Sequence, residues 1–433
     1  MIRVVIVGAG ARGNRVFADL IARYDTGFEV VGVVEPVEAK RRAFQQRCRV
    51  PDTRAHASIE AFLDTPRYAD IVFICTLDPT HYELCRAVSQ GGYDVLLEKP
   101  IATNLPDCLA LLDVEAQCRN RILVAHVLRY APFFQTVKAI IGSGRFGAVR
   151  DIQLAEHIGH WHYAHSYVRG SWNRVDRCAP IILTKCSHDL DLLPWLVGER
   201  VTAVASTGGL TSFRRENAPP GSAERCVDCG LAATCIYDAT RFYVNDRAGW
   251  PHDVIAPPPD SIEARRDAVA TGPYGRCVWR CDNDVCDHQT VTLEFASGLH
   301  ATLGMHANTA DNSRRITVLF DEAEVTGELY RHQLSVSKFT GMPDVEDIEV
   351  VPLPDLRDRH GGGDLGLLLA LRDSLNGGGD REILTSLRSS VLSHVLAFLA
   401  EDSRGANAVK IPLSESFVPD PLLDGARIGG GAD

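Results

Sequence analysis

The chain has 433 residues, 45% of them apolar, which is too long for one hydrophobic core and enough to fill two domains with a large buried interior. Its formal net charge of −11, with no basic run and no clustered aromatics suited to base stacking, excludes nucleic acid as the natural partner. The longest apolar stretches, 71–77 and 365–371, fall short of the roughly 20 residues that span a bilayer, so no membrane association is expected. Met1 leads into the first predicted strand with no room for a secretory leader, and several of the 13 cysteines (Cys75, Cys85, Cys108) sit in apolar periodic segments as core thiols. Both features predict a cytoplasmic protein.

Residues 3–14, RVVIVGAGARGN, carry an apolar β run directly into Gly8, Gly10 and Gly13, a G-x-G-x-x-G spacing with Ala11 and Arg12 on the same turn. The first glycine permits a tight strand-to-helix turn, the second lets backbone approach a pyrophosphate, and the third lets helix pack closely on strand. A second apolar run, 28–34, ends in Glu35, where an acid meets a ribose 2′-OH in this arrangement. A carboxylate repels a 2′-phosphate and favours NAD over NADP, although Arg41 and Arg42 follow closely.

A helix over 37–48 and a short one near 58–63 lead to 69–75, which reads as a buried parallel strand. It ends in a loop starting at Thr76, with His81 opening the helix 81–91, and ligands of open α/β sheets lie outside such strand ends. The strand 94–97 terminates in Glu98-Lys99-Pro100, a charged pair directly after a buried strand. Helix 104–119 and strand 122–125 complete a predicted α/β Rossmann domain, 1–128. Beyond it, strands at 150–157, 201–207, 289–295, 299–306, 315–321 and 324–330 predict an α+β domain, 129–418, with an open, mostly antiparallel sheet. Helices are expected at 187–197, 365–375 and 386–400, and the Pro- and Gly-rich tail 419–433 is expected to be flexible.

Three polar clusters remain. Residues 160–170, HWHYAHSYVRG, offer His162, Tyr163, His165 and Arg169 to a sugar pocket, or form an aromatic loop packed under the sheet. His360 and Asp364 flank a glycine turn that either approaches the nicotinamide side or simply opens a helix. An insertion at about 210–287 holds Cys226, Cys229 and Cys235, followed by Cys277, Cys281 and Cys286. Four thiolates there would suit a structural zinc, with Cys277 the preferred fourth ligand and Cys281 next; free thiols or disulfides are the alternatives.

The segments VGAGARG, ICTLDPTH, LLEKP (96–100), AHVLRYAPFF (125–134) and SHDLDLLPWLVG (187–198) together resemble the glucose-fructose oxidoreductase / inositol dehydrogenase / rhizopine-catabolism (Gfo/Idh/MocA) oxidoreductase family. The resemblance implies an NAD(H)-dependent oxidoreductase acting on a sugar, glycoside or cyclitol, with Lys99 beside the nicotinamide and His188 as proton acceptor. It departs from the family pattern at Thr184, where an aspartate is usual, and the adjacent Lys185 becomes a candidate third catalytic group, with Thr184 and Asp189 toward the substrate. A lysine pair would lower each other's pKa and keep the histidine neutral. Relatives that cleave glycosides through transient oxidation supply the alternative activity, with Lys185, Tyr163 or His165 as the extra base. The open sheet predicts a homodimer or homotetramer.

Overall fold

The computed structural model describes residues 1–257, 260–343, 345–355, 359–377 and 385–414. The predicted tail, 419–433, lies outside them.

Alternating apolar runs and amphipathic helices build the first sheet from β1 (Ile2–Val7), β2 (Phe28–Val34), β3 (Ala55–His56), β4 (Ile71–Ile74), β5 (Asp94–Leu97) and β6 (Ile122–Val124). Their order is β3-β2-β1-β4-β5-β6, with parallel pairing throughout. β4 is buried at every position, which is why its sequence is a continuous apolar run rather than an alternation. The strand order reverses between β1 and β4, and the glycine turn, the Thr76 loop and the Glu98-Lys99 pair all leave the carboxyl ends of these central strands. The helices start and stop where local chemistry dictates. Asn104 caps Leu105–Cys118 by accepting from the Asp107 N–H, and Arg119 ends it in the left-handed region.

The second sheet has nine strands: β7 (Val149–Gly159), β8 (Val201–Gly209), β9 (His288–Phe295), β10 (His300–Thr309), β11 (Ser313–Phe320), β12 (Ala323–Glu328), β13 (Gln333–Lys338), β14 (Asp347–Val350) and β15 (Ile411–Pro412). The order is β14-β13-β12-β11-β7-β10-β9-β8-β15, antiparallel except where β7 and β10 run parallel. One face carries Ile152, Leu154, Val291, Leu293, Leu303 and Met305 into the core beneath helices Ser187–Val197 and Leu387–Gly405. This is the expected α/β plus α+β architecture.

Helix Gly363–Leu375 departs from the expected division of the chain. Leu365, Leu368 and Leu371, at helical spacing, pack with Ile2, Val4 and Ile6 of the first sheet and with Phe17 from the segment after the glycine turn. Burying each such side chain contributes about 1.5–3 kcal/mol, enough to hold this late helix against the N-terminal part. No helix among the described residues is long and apolar enough to cross a membrane.

Candidate active site

The glycine turn is shaped by the fold itself. Gly8 has φ of +95°, and a Cβ there would stand 2.8 Å from the Cys75 carbonyl oxygen. A Cβ on Gly13 would fall 2.1 Å from the Gly8 carbonyl oxygen, so neither position admits a side chain. A Cβ on Gly10 would meet no chain atom within 4 Å, which leaves open space beside the backbone. Beyond the turn, Ala11–Phe17 winds with wide π-type turns before the regular helix Ala18–Arg23. Glu35 braces the turn through its buried carboxylate, whose Oε2 accepts from the Ala9 N–H (2.9 Å) and Oε1 from the Val37 N–H (3.0 Å). Arg41 donates to the Glu35 carbonyl oxygen at 2.6 Å.

Arg12 crosses from this turn to both neighbouring segments. Its Nε donates to Glu98 Oε1 at 2.5 Å and its Nη2 to Asp364 Oδ1 at 2.7 Å, while Nη1 is buried with no partner among the described residues. Burial would push the Asp364 carboxyl up, but Arg12 and His360 outweigh it and hold it well below the usual carboxylate range. His360 completes the chain through Nδ1 to Asp364 Oδ2 at 2.7 Å, and its ring lies 5.8 Å from that of His188. On the other side of the strand ends, His81 contacts the Pro100 carbonyl oxygen (2.6 Å) and the Thr76 carbonyl oxygen (3.3 Å). The open space at Gly10 and the orphaned Arg12 donor beside it fit the pyrophosphate of a dinucleotide.

Lys99 joins the two parts of the chain. Leaving β5, its Nζ donates to the Thr184 carbonyl oxygen at 2.6 Å, at the end of the short helix Ile181–Thr184. Burial lowers the Lys99 pKa; nearby Asp78 opposes this and Lys185 adds to it. His188, second residue of Ser187–Val197, is buried, and burial pushes its pKa well below the ordinary imidazole value, with Lys99 the strongest of the neighbouring charges. It is therefore neutral at working pH, and its Nδ1 has no partner among the described residues. The Thr184 hydroxyl is likewise buried and unpartnered among them.

Lys185 turns to Glu156 (3.1 Å), and Glu156 in turn meets Arg314 at 3.0 Å. Arg314 also holds Asp189, with Nε donating to Oδ1 at 2.6 Å, so this carboxylate is occupied within the second sheet. Tyr330, 48% exposed, lies in the field of Arg314, Lys185, Glu156 and Asp364.

The 160–170 segment separates into two groups. His162 stays near the lysines: burial first, then Lys185, pushes its pKa well below normal, and its Nδ1 meets Asn312 Oδ1 at 2.8 Å. Tyr163 instead donates to the Val285 and Cys286 carbonyl oxygens, at 3.1 and 2.9 Å. His165 contacts the Tyr243 hydroxyl at 2.8 Å, and burial pushes its pKa down to about 3. Arg169 donates to the carbonyl oxygens of Arg276 (2.7 Å) and Tyr237 (2.8 Å). Of the two readings the sequence left open, these contacts match the packed loop: the polar atoms of these three residues hold the insertion, whose own core is small and whose carbonyls need partners.

The zinc expectation is corrected. Cys226, Cys229, Cys235 and Cys277 do line one cavity of about 300 Å³, but Cys226 Sγ accepts from Arg169 Nη2 at 3.4 Å. Among the described residues no three His, Cys, Asp or Glu side chains group in a way that could hold a metal ion, and Cys281 Sγ turns to the Cys277 carbonyl oxygen. The described cysteines are free thiols.

Sequence reasoning left several residues of the cluster without a role. His126 lies within AHVLRY and packs 5.6 Å from His188 ring to ring. Asp78, within ICTLDPTH, is buried beside Lys99 and accepts from Trp172 Nε1 at 2.9 Å. Both sit in segments quoted above, whereas Glu156 and Arg314 are polar residues on strands that carried no local signal.

Two family models cover most of the chain: the oxidoreductase family's NAD-binding Rossmann fold matches residues 2–126, and its C-terminal alpha/beta domain matches 138–397. The chain belongs to the Gfo/Idh/MocA oxidoreductase family. YteT of Bacillus subtilis (strain 168), which carries an oxidoreductase name, is 25% identical over 392 residues, 85% of this chain and 88% of that protein. An inositol 2-dehydrogenase of Streptomyces avermitilis is 30% identical over 208 residues, covering 47% of this chain and 55% of that enzyme. Among solved structures, the WlbA dehydrogenase of Bordetella pertussis in complex with NADH and UDP-GlcNAcA aligns with a TM-score of 0.64 at 18% identity, over 95% of this chain and 98% of that one. An inositol dehydrogenase homologue of Azotobacter vinelandii complexed with NAD+ aligns at 0.66 and 15% identity, over 95% and 97%. As a Gfo/Idh/MocA member the chain is an NAD-dependent oxidoreductase, and the glycine turn lies within the part that matches the family's NAD-binding Rossmann fold.

Proposed function

We propose that this Gfo/Idh/MocA oxidoreductase oxidises a secondary hydroxyl of a sugar, glycoside or cyclitol, or reduces the matching ketone, between Lys99 and His188. The observation that carries the reading is the meeting of a half-buried lysine from the end of the first sheet with a buried neutral histidine from the second part, where Lys99 is the charge His188 feels most. NAD, when bound, accepts the hydride. The residues supply the rest. Lys99 donates to the carbinol oxygen and stabilises the negative charge that develops on it in a site poor in water. The neutral His188 ring, whose buried Nδ1 has no partner among the described residues, accepts the hydroxyl proton. The imidazolium forms beside the Lys99 ammonium, and the alkoxide between them offsets that repulsion. Lys185 tunes Lys99 through its charge, and Glu156 fixes its position.

The inositol and sugar-nucleotide relatives support a polyhydroxylated substrate. The cysteines, free in every described case, support a reducing cytoplasm. The β14 edge of the second sheet, with Ile348 54% and Val350 78% exposed, supports a homodimer through that side. The test is a panel of inositols, free sugars and nitrophenyl glycosides, followed both at the NADH absorbance band and by aglycone release. NADH accumulation with an inositol or sugar is expected. Aglycone release with no net change in NADH would replace this reading with transient-redox glycoside cleavage, and silence in both channels would remove carbohydrates as the substrate class.

A further inference from the structure

The insertion does more than carry cysteines: its residues 249–255 cross from one part of the molecule to the other. Both ends are held within the insertion. On one side Arg265 Nη1 donates to the carbonyl oxygens of Asn245 (3.1 Å) and Arg247 (2.7 Å), with its guanidinium fixed by Asp260. On the other, Ile255 is buried in the small core with Tyr243 and Val269. Between these anchors the segment touches both sides of the cleft. Trp250 packs on the second part, with ring centroids 5.5 Å from Trp161, 4.9 Å from His162 and 5.4 Å from His165. Asp253 reaches the dinucleotide turn, where its Oδ2 pairs with the Arg15 guanidinium, two residues beyond Gly13. The pair is sheltered, with Arg15 30% and Asp253 13% exposed, and Asp253 Oδ1 is buried without a partner among the described residues.

We propose that residues 249–255 form a strap that retains the cofactor, with Asp253 as the positioning residue that pins it to Arg15. This rests on the assignment of the glycine turn as the NAD site. A segment fixed to His162 near Lys185 and Lys99 and to Arg15 beside the glycines bridges the opening between them, so leaving the site requires breaking one of the two attachments. The Asp253–Arg15 pair is the weaker, because it is a single ion pair whose guanidinium is still reached by solvent, whereas Trp250 is held by three rings. An enzyme closed in this way keeps its dinucleotide through turnover, which suits a reaction that returns the hydride within one cycle as well as one that passes it to a second substrate.

The test uses the full-length protein loaded with NADH and chased with excess NAD+, following loss of bound-NADH fluorescence by stopped flow. Asp253→Asn is isosteric and removes only the charge. Its release rate is expected to rise on the order of tenfold at low salt, with an unchanged melting temperature. Arg15→Gln should give a similar rise, and the double variant should release no faster than either single one, because both remove the same pair. Added salt should speed release from the wild type and not from Asp253→Asn. Wild-type release rates in Asp253→Asn, or singles whose effects multiply in the double variant, would overturn the strap while leaving the cofactor site intact. Failure of the wild type to bind NADH would instead remove the cofactor assignment, and the strap with it.

Discussion

The segment 160–169 and the cluster around Lys99 are built from the same residue types, histidines with a cation and small polar neighbours, yet the structure uses them in opposite ways. In the first, Tyr163, His165 and Arg169 place their polar atoms on carbonyl oxygens and a hydroxyl of the insertion. Around Lys99, the Arg12 Nη1, Thr184 hydroxyl and His188 Nδ1 atoms are buried with no partner among the described residues. A buried polar atom costs about 1–3 kcal/mol when left without a hydrogen bond, so a fold keeps several together only where something else supplies the partner. Unsatisfied buried atoms also occur away from this cluster, in the insertion at Arg225, Asp238 and Arg280. What sets the Lys99 cluster apart is that its unsatisfied atoms lie beside the glycine turn and the lysine, and the residue types alone do not separate the two regions.

The sharpest way to break this contrast is to remove the groups it assigns to chemistry. His188→Gln keeps the size and some hydrogen bonding of the imidazole but accepts no proton, and kcat/KM with the substrate found in the panel should fall on the order of 10³–10⁴-fold, with NADH affinity within a few-fold of wild type. Retention of a tenth of the activity would move the proton acceptor elsewhere. Lys99→Met keeps the buried stem and deletes the donor, and should cost on the order of 10²–10³-fold, mainly in kcat. A loss confined to KM would make Lys99 a binding group only.

Tyr163→Phe tests the other half of the comparison. It leaves the ring stacked on Phe213 and Tyr167 and removes the hydroxyl that serves two carbonyl oxygens. Stability in urea should fall by about 1–3 kcal/mol while KM and kcat stay within about twofold. A large change in KM with no change in stability would return Tyr163 to the substrate pocket.

How far the sequence reveals this follows from what each element buries. Strands β2 and β5 and the helix Ser187–Val197 were legible to the residue, because their apolar runs have one reading against a core. β14, DIEV, faces no core at any position, and β15 is two residues long, so neither leaves a periodic trace. The Glu98-Lys99 pair stood out because charge directly after a buried strand is costly without a use. The Glu156–Arg314–Asp189 network did not, since its members come from β7, β11 and a helix and acquire meaning only when the sheet pairs β7 with β11. The roles of Tyr163 and Arg169 were illegible for the same reason, because their partners lie 57 to 123 residues away.

Lys185 gives the finest test, because its part in the comparison is electrostatic rather than covalent. Lys99 carries a pKa below that of a free lysine, chiefly from burial, and the positive charge of Lys185 lowers it further while Asp78 holds it up. The alkaline limb of kcat/KM then reports loss of the Lys99 proton and lies below the ordinary lysine range. Lys185→Met removes a neighbouring cation and leaves the Glu156 carboxylate with Arg314 as its remaining close cation, and both changes favour the charged form of Lys99. The limb should therefore move to higher pH, by less than about one unit, equivalent to under about 1.4 kcal/mol. Lys185→Arg keeps the charge and should leave the limb in place. A limb that stays put in Lys185→Met, or moves to lower pH, would mean that the two ammonium groups do not share one field, and Lys185 would then belong with the satisfied, structural set.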